Sequence, residues 1–112
     1  MDSVLNSIKK MLGLTEDYVA FDTDIIMHIN SAFFALKQLG IGPVGGFRIA
    51  DQADSWTMLL SSAEDLEGVK TYVYFKVRLA FDPPSTAFVL ASIERQIAEL
   101  EWRLNVQAEN QA

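Results

Sequence analysis

The sequence predicts an all-α fold, a small bundle of four to five helices with a central buried helix and a long C-terminal helix. Three observations lead there. Apolar residues recur at three- and four-residue spacing in successive windows, the mark of helices with one face inward. All three prolines and most glycines fall between those windows. At 112 residues, half of them hydrophobic, the chain has the size and composition of one globular domain spanning 1–112.

Asp2 or Ser3 can cap a short first helix through Leu12, with Val4, Leu5, Ile8 and Met11 or Leu12 on one side. Gly13 suits the left-handed position that follows. Thr15 to Phe21 reads as a connection. Asp22 then caps a longer helix to about Leu39, stopped by Gly40. Ile25, Ile26, Ile29, Ala32, Phe33, Leu36 and Leu39 form its broad apolar stripe, while Met27 and Phe34 lie on the far side. Ile41 to Ala53 is a Gly-rich loop with a short extended piece at Phe47-Arg48-Ile49. Asp54 or Ser55 caps a brief helix holding Trp56, Leu59 and Leu60.

Glu64 or Asp65 opens the next helix, which runs to about Phe81. Its apolar residues (Leu66, Val69, Tyr72, Val73, Phe75, Val77, Leu79, Ala80 and Phe81) lie nearly all round, as a central helix requires. Asp82-Pro83-Pro84 ends it, and Pro84 can start the last helix, roughly Ser85 to Glu109.

That last helix carries two stripes. Val89, Leu90, Ile93, Ile97, Leu100 and Leu104 share one face and read as core. Phe88, Ala91, Ala98, Trp102 and Val106 fall nearly opposite, with Arg95 among them. A chain this short lacks the apolar layers to enclose two helices on both sides. The second stripe, with Met27 and Phe34, therefore reads as surface meant to be covered. Met27, Phe34, Phe88, Ala91, Arg95, Trp102 and Val106 are the candidate protein-interface residues, and an Arg beside a Trp is a frequent interface anchor.

Catalytic and cofactor chemistry finds little support. Gly40-Ile41-Gly42-Pro43-Val44-Gly45 matches G-x-G-x-x-G literally, but it follows a helix and none starts directly after it. His28, the only histidine, has Asp24 one turn back and no nucleophile or further metal ligand in prospect. Glu94, Glu99, Glu101 and Arg103 decorate a solvated face, with Glu99 and Arg103 at pairing distance. Zero cysteines exclude disulfide frameworks and thiolate metal sites and fit a reducing compartment. No cofactor, no metal and no enzymatic activity is expected. Without a signal segment or a span of about 20 apolar residues, a soluble intracellular protein with no membrane contact is the default. At a formal charge of −6, with scattered cations, tight nucleic-acid binding is not expected.

The chain resembles the small head–tail connector proteins of long-tailed bacteriophages. The likeness lies in Asp2-Ser3-Val4-Leu5-Asn6-Ser7-Ile8-Lys9-Lys10, the run from Asp22 through Ile25, Ile26 and Ile29 to Leu39-Gly40, and Trp56 with Leu59-Leu60. It continues in Lys70-Thr71-Tyr72-Val73-Tyr74, Phe81-Asp82-Pro83-Pro84 and Glu99-Leu100-Glu101-Trp102-Arg103-Leu104. The resemblance implies a helical, non-catalytic virion subunit that forms a homo-oligomeric ring below the portal protein. Such a ring extends the DNA channel and docks the next head-completion or tail protein, with DNA passing nearby without specific binding. Assembly would take place in the host cytoplasm. The competing expectation is a non-enzymatic helical interaction module, an assembly chaperone or adaptor acting as a dimer or heterodimer.

Overall fold

Local signals start and stop the helices, and the way they pack leaves two of them half uncovered. A computed structural model describes residues 3–43, 45–59 and 66–111. The elements are α1 (Val4–Met11), α2 (Asp22–Gln38), α3 (Trp56–Leu59), α4 (Leu66–Phe81) and α5 (Ala87–Gln111). Among the described residues there is no strand, only one antiparallel bridge between Ser3 and Ser55. The alternatives Asp2, Glu64 and Asp65 as caps, and Leu60 in α3, lie outside the described residues.

Ser3 caps α1, its hydroxyl accepting from the Asn6 N–H at 3.2 Å. Val4, Leu5 and Ile8 are buried and Leu12 completes the stripe, while Met11 is largely exposed. Both early helices end in Schellman turns. The Leu14 N–H donates to Lys9 O around Gly13, and the Ile41 N–H donates to Leu36 O around Gly40, each glycine at positive φ. These glycines do what their positions in the sequence predict.

The start of α2 departs from expectation. Asp22 is not its cap: Phe21 holds that position and makes no side-chain hydrogen bond to the helix. Asp22 instead lies 2.9 Å from the Nζ of Lys9, a lysine buried completely. A buried ammonium needs a counter-charge far more than a helix needs a cap, so the carboxylate turns inward. The same Nζ donates to Glu16 O at 2.9 Å, tying α1, the connection and α2 together.

Phe47-Arg48-Ile49 does not pair as a strand. Asn30 takes the place of a neighbouring strand, donating to Ile49 O at 3.0 Å and accepting from the Ile49 N–H at 2.7 Å. With both backbone groups satisfied, Ile49 can be buried inside a loop. Asp54 spends its carboxylate on the Ala50 and Asp51 N–H groups, closing the loop ahead of α3. The last helix starts two residues later than expected. Pro83 and Pro84 end the preceding helix, and the Thr86 hydroxyl accepts from the Val89 N–H at 3.4 Å as the cap of α5.

In the bundle α4 packs against α1, α2 and α5, so it is the central helix. Val69, Tyr72, Val73 and Val77 are buried and most of its other apolar residues half-buried, but Ala80 is exposed. From α2 come Ile25, Ile29, Ala32, Phe33 and Leu36, and from α5 come Ile93, Ile97 and Leu104. Val89, expected in the α5 core stripe, is exposed. It sits on the stripe's flank in a first turn where Ala87 and Phe88 are exposed too, so no neighbour covers it. The molecule measures 40 × 35 × 20 Å. Its shortest dimension is about two helix diameters, so each outer helix keeps one face to solvent.

Two polar links hold α5 in place. Asn105 donates to Leu39 O at the end of α2, at 3.3 Å. The buried Tyr72 hydroxyl donates to Glu101 Oε2 at 2.8 Å. Burial, then that hydrogen bond, then the Glu101 charge raise the phenol well above its ordinary 10.0. A raised folded-state value means that the contribution is whole below pH 10 and fades as alkali carries the phenol through its folded-state titration. Tyr72→Phe is expected to lose about 1.5 kcal/mol at neutral pH. In urea denaturation followed against pH, the variant should also decline less steeply than the parent above pH 10. Parallel alkaline profiles would show that the hydroxyl does not clasp α5.

Candidate functional site

The outward stripe of α5 faces solvent. Phe88 is 80% exposed and Trp102 68%, with Ala91 and Arg95 exposed on the same side and Val106 half-buried. Two turns of helix separate Arg95 from Trp102, about 10 Å along the axis. The guanidinium therefore does not stack on the indole. Among the described residues the cation–ring contacts are Lys70 over Trp56 at 5.7 Å and Lys76 over Tyr72 at 5.9 Å. Glu99 and Arg103 form the expected ion pair, 2.7 Å apart and well exposed. Glu101, grouped with them on a solvated face, instead belongs to the Tyr72 clasp.

On α2, Met27 and Phe34 are 57% and 62% exposed. They border an open groove of about 640 Å³ between the outer side of the helix and the loop that returns past it. Ile26 and Phe47 extend its apolar wall, and Lys37 and Arg48 supply its charge. Periodicity alone marks Met27 and Phe34. The groove needs the loop folded back along α2 as well, which Asn30 secures through Ile49 and which Phe47 reinforces by meeting Phe33 edge to face.

A second groove of about 410 Å³ lies where α2, α4 and α5 meet, with His28, Lys76 and Glu94 on its walls. His28 is half-buried there, and among the described residues it makes no hydrogen bond or ion pair with Asp24. The glycine-rich stretch carries no helix directly behind it, so it offers no helix N-terminus to a phosphate; α3 begins only at Trp56. Among the described residues no three His, Asp or Glu side chains gather as a metal-binding set.

One surface went unread in the sequence. The connection between α1 and α2 presents Tyr18, Val19 and Phe21 at 46%, 63% and 41% exposure, beside exposed Glu16 and Asp17. Seven residues without helical period gave no stripe to notice. The run of aromatic and apolar residues behind two acids was the available signal.

A family model described as phage connector protein matches residues 4–111. The chain belongs to the phage connector protein family. No curated protein and no solved structure matches it. This all-helical phage connector protein is a structural component of the virion. Nearly all the segments that carry the resemblance fall within the matched residues. For a connector, the relevant chemistry is that of contact surfaces.

Proposed function

We propose that this connector protein forms a homo-oligomeric ring at the head–tail junction below the portal, extends the DNA channel, and docks the next head-completion or tail protein. The observation that carries it is the solvent-facing α5 stripe on a member of this family. A ring needs heterologous contacts between unlike surfaces, closed by rotation. The chain owns unlike surfaces: Phe88, Ala91, Arg95, Trp102 and Val106 on α5, and Met27 and Phe34 on α2. These seven residues contact neighbouring copies or the portal. The role is structural and needs neither catalysis nor a cofactor. A formal charge of −6 suits a channel wall that repels phosphate and lets a duplex slide. No described helix is long and apolar enough to cross a membrane. As for other virion components, assembly would take place in the host cytoplasm.

Trp102→Glu tests the proposal. A buried interface tryptophan is worth about 2 kcal/mol or more, and a carboxylate in its place adds a desolvation cost. Light scattering, alone and with portal protein, should show assembly lost while circular dichroism shows helicity kept. An unaltered oligomer would count against an interface at Trp102, and a discrete dimer would favour an adaptor-type module.

A further inference from the structure

We propose that the α2 groove is a socket for the connection between α1 and α2 of a second copy of this chain. The proposal rests on the multi-copy assembly proposed above and assigns the surfaces that meet within it.

The connection is a preformed protrusion. Lys9 Nζ holds Glu16 O, the Tyr18 N–H donates to Thr15 O at 3.2 Å, and the Asp22 N–H donates to Val19 O at 3.2 Å. Tyr18, Phe21 and Phe81 pack edge to face, with ring centroids 5.8 and 5.3 Å apart. Val19 and Tyr18 stand out from this frame. Holding such a segment rigid before contact removes much of the ordering cost of binding. Glu16 and Asp17 flank it, and among the described residues neither carboxylate has an ion pair.

The groove is the electrostatic counterpart. Its apolar wall of Ile26, Met27, Phe34 and Phe47 carries Lys37 and Arg48, and among the described residues no acidic one lines it. Among the described residues these two cations also lack ion pairs. Copies of a chain with charge −6 repel one another, so self-contact is favoured where a local positive surface meets a local negative one. Two carboxylates beside Tyr18 and Val19 match two cations beside Met27 and Phe34. The outward stripe of α5 is a poorer match, because it holds Arg95 and its Glu99 is already paired with Arg103. Protrusion and socket are different patches on one subunit, so the contact repeats head to tail and closes if its rotation allows. The α5 stripe then supplies a second, separate contact, to a neighbouring copy or to the portal.

The chain has no cysteine, so introduced ones report contact without background. A variant carrying Val19→Cys and Ser31→Cys, the second on the groove wall, should give a ladder of disulfide-linked dimers, trimers and larger species under mild oxidation. Adding Lys37→Glu and Arg48→Glu should cut the cross-linked fraction at least about tenfold, and adding Glu16→Lys and Asp17→Lys to that variant should restore it. A ladder indifferent to charge reversal, one formed equally by Val19→Cys with Trp102→Cys, or no ladder at any concentration would overturn the socket. Light scattering on the parent chain separates the two failures. Multimers without the ladder leave the ring standing on other contacts, and a parent that never assembles, even with portal protein, removes both.

Discussion

Trp56→Ala is expected to cost about 3–5 kcal/mol, the range for emptying a large aromatic site in a packed core. Trp56 is fully buried at the start of α3, whose described span of four residues is far too short to persist by itself. The indole holds that segment in place. Its Nε1–H donates to Ser7 Oγ on α1 at 3.1 Å, its ring and that of Phe33 on α2 meet edge to face, and the Lys70 ammonium of α4 lies over its face. Removing it opens a cavity among three helices. Stabilities of domains this size are about 5–15 kcal/mol, so the loss is a large share of the total. Urea denaturation followed by circular dichroism measures it. Trp56→Phe keeps most of the volume and should cost far less, leaving the exposed Trp102 as sole emitter with red-shifted fluorescence. A cost below about 1 kcal/mol for the alanine variant would mean that the site collapses without strain.

Asp22→Ala is the second large effect, at about 3 kcal/mol. The substitution leaves the Lys9 ammonium buried with Glu16 O as its remaining described partner. Breaking one side of a buried pair usually costs about 3–5 kcal/mol, and the low end applies because water reaches part of Asp22. Asp22 Oδ1 has no aligned hydrogen-bond donor among the described residues, so nearness to the ammonium is what compensates its burial. Thermal melting should fall by roughly 10 °C or more. The double variant Lys9→Met, Asp22→Asn should recover most of the loss, since a methionine fills the lysine's path without a charge. If the double variant were as unstable as the single one, the charge pair would not be the cause.

On the assembly proposed above, the second effect reaches a contact surface: Lys9 fixes the connection between α1 and α2 through Glu16 O, as Asn30 fixes the loop that walls the groove.

The candidate surfaces were only partly legible in the chain. Trp102, Phe88, Met27 and Phe34 were readable because a helix converts sequence spacing into direction, so a residue opposite the core stripe must face outward. Val89 misled because a stripe's flank is buried only where a neighbour reaches it. Tyr18 and Val19 were invisible because an irregular segment has no such rule. No spacing rule sets Lys9 apart from Lys10, although Lys10 is the exposed one of the pair.

Sequence by itself determined the all-α class, the order of the helices and the approximate ends of most of them, and which faces of α2 and α5 had to point inward. Those features follow from interactions within a few residues: periodic apolar positions, glycines at left-handed turns, and two prolines in succession. Tertiary structure alone decided that Lys9 is buried against Asp22, that Trp56 reaches Ser7 across 49 positions, and that Tyr72 clasps Glu101 across 29. The physical reason is that a partner distant along the chain is chosen by packing, and packing is a property of the whole fold.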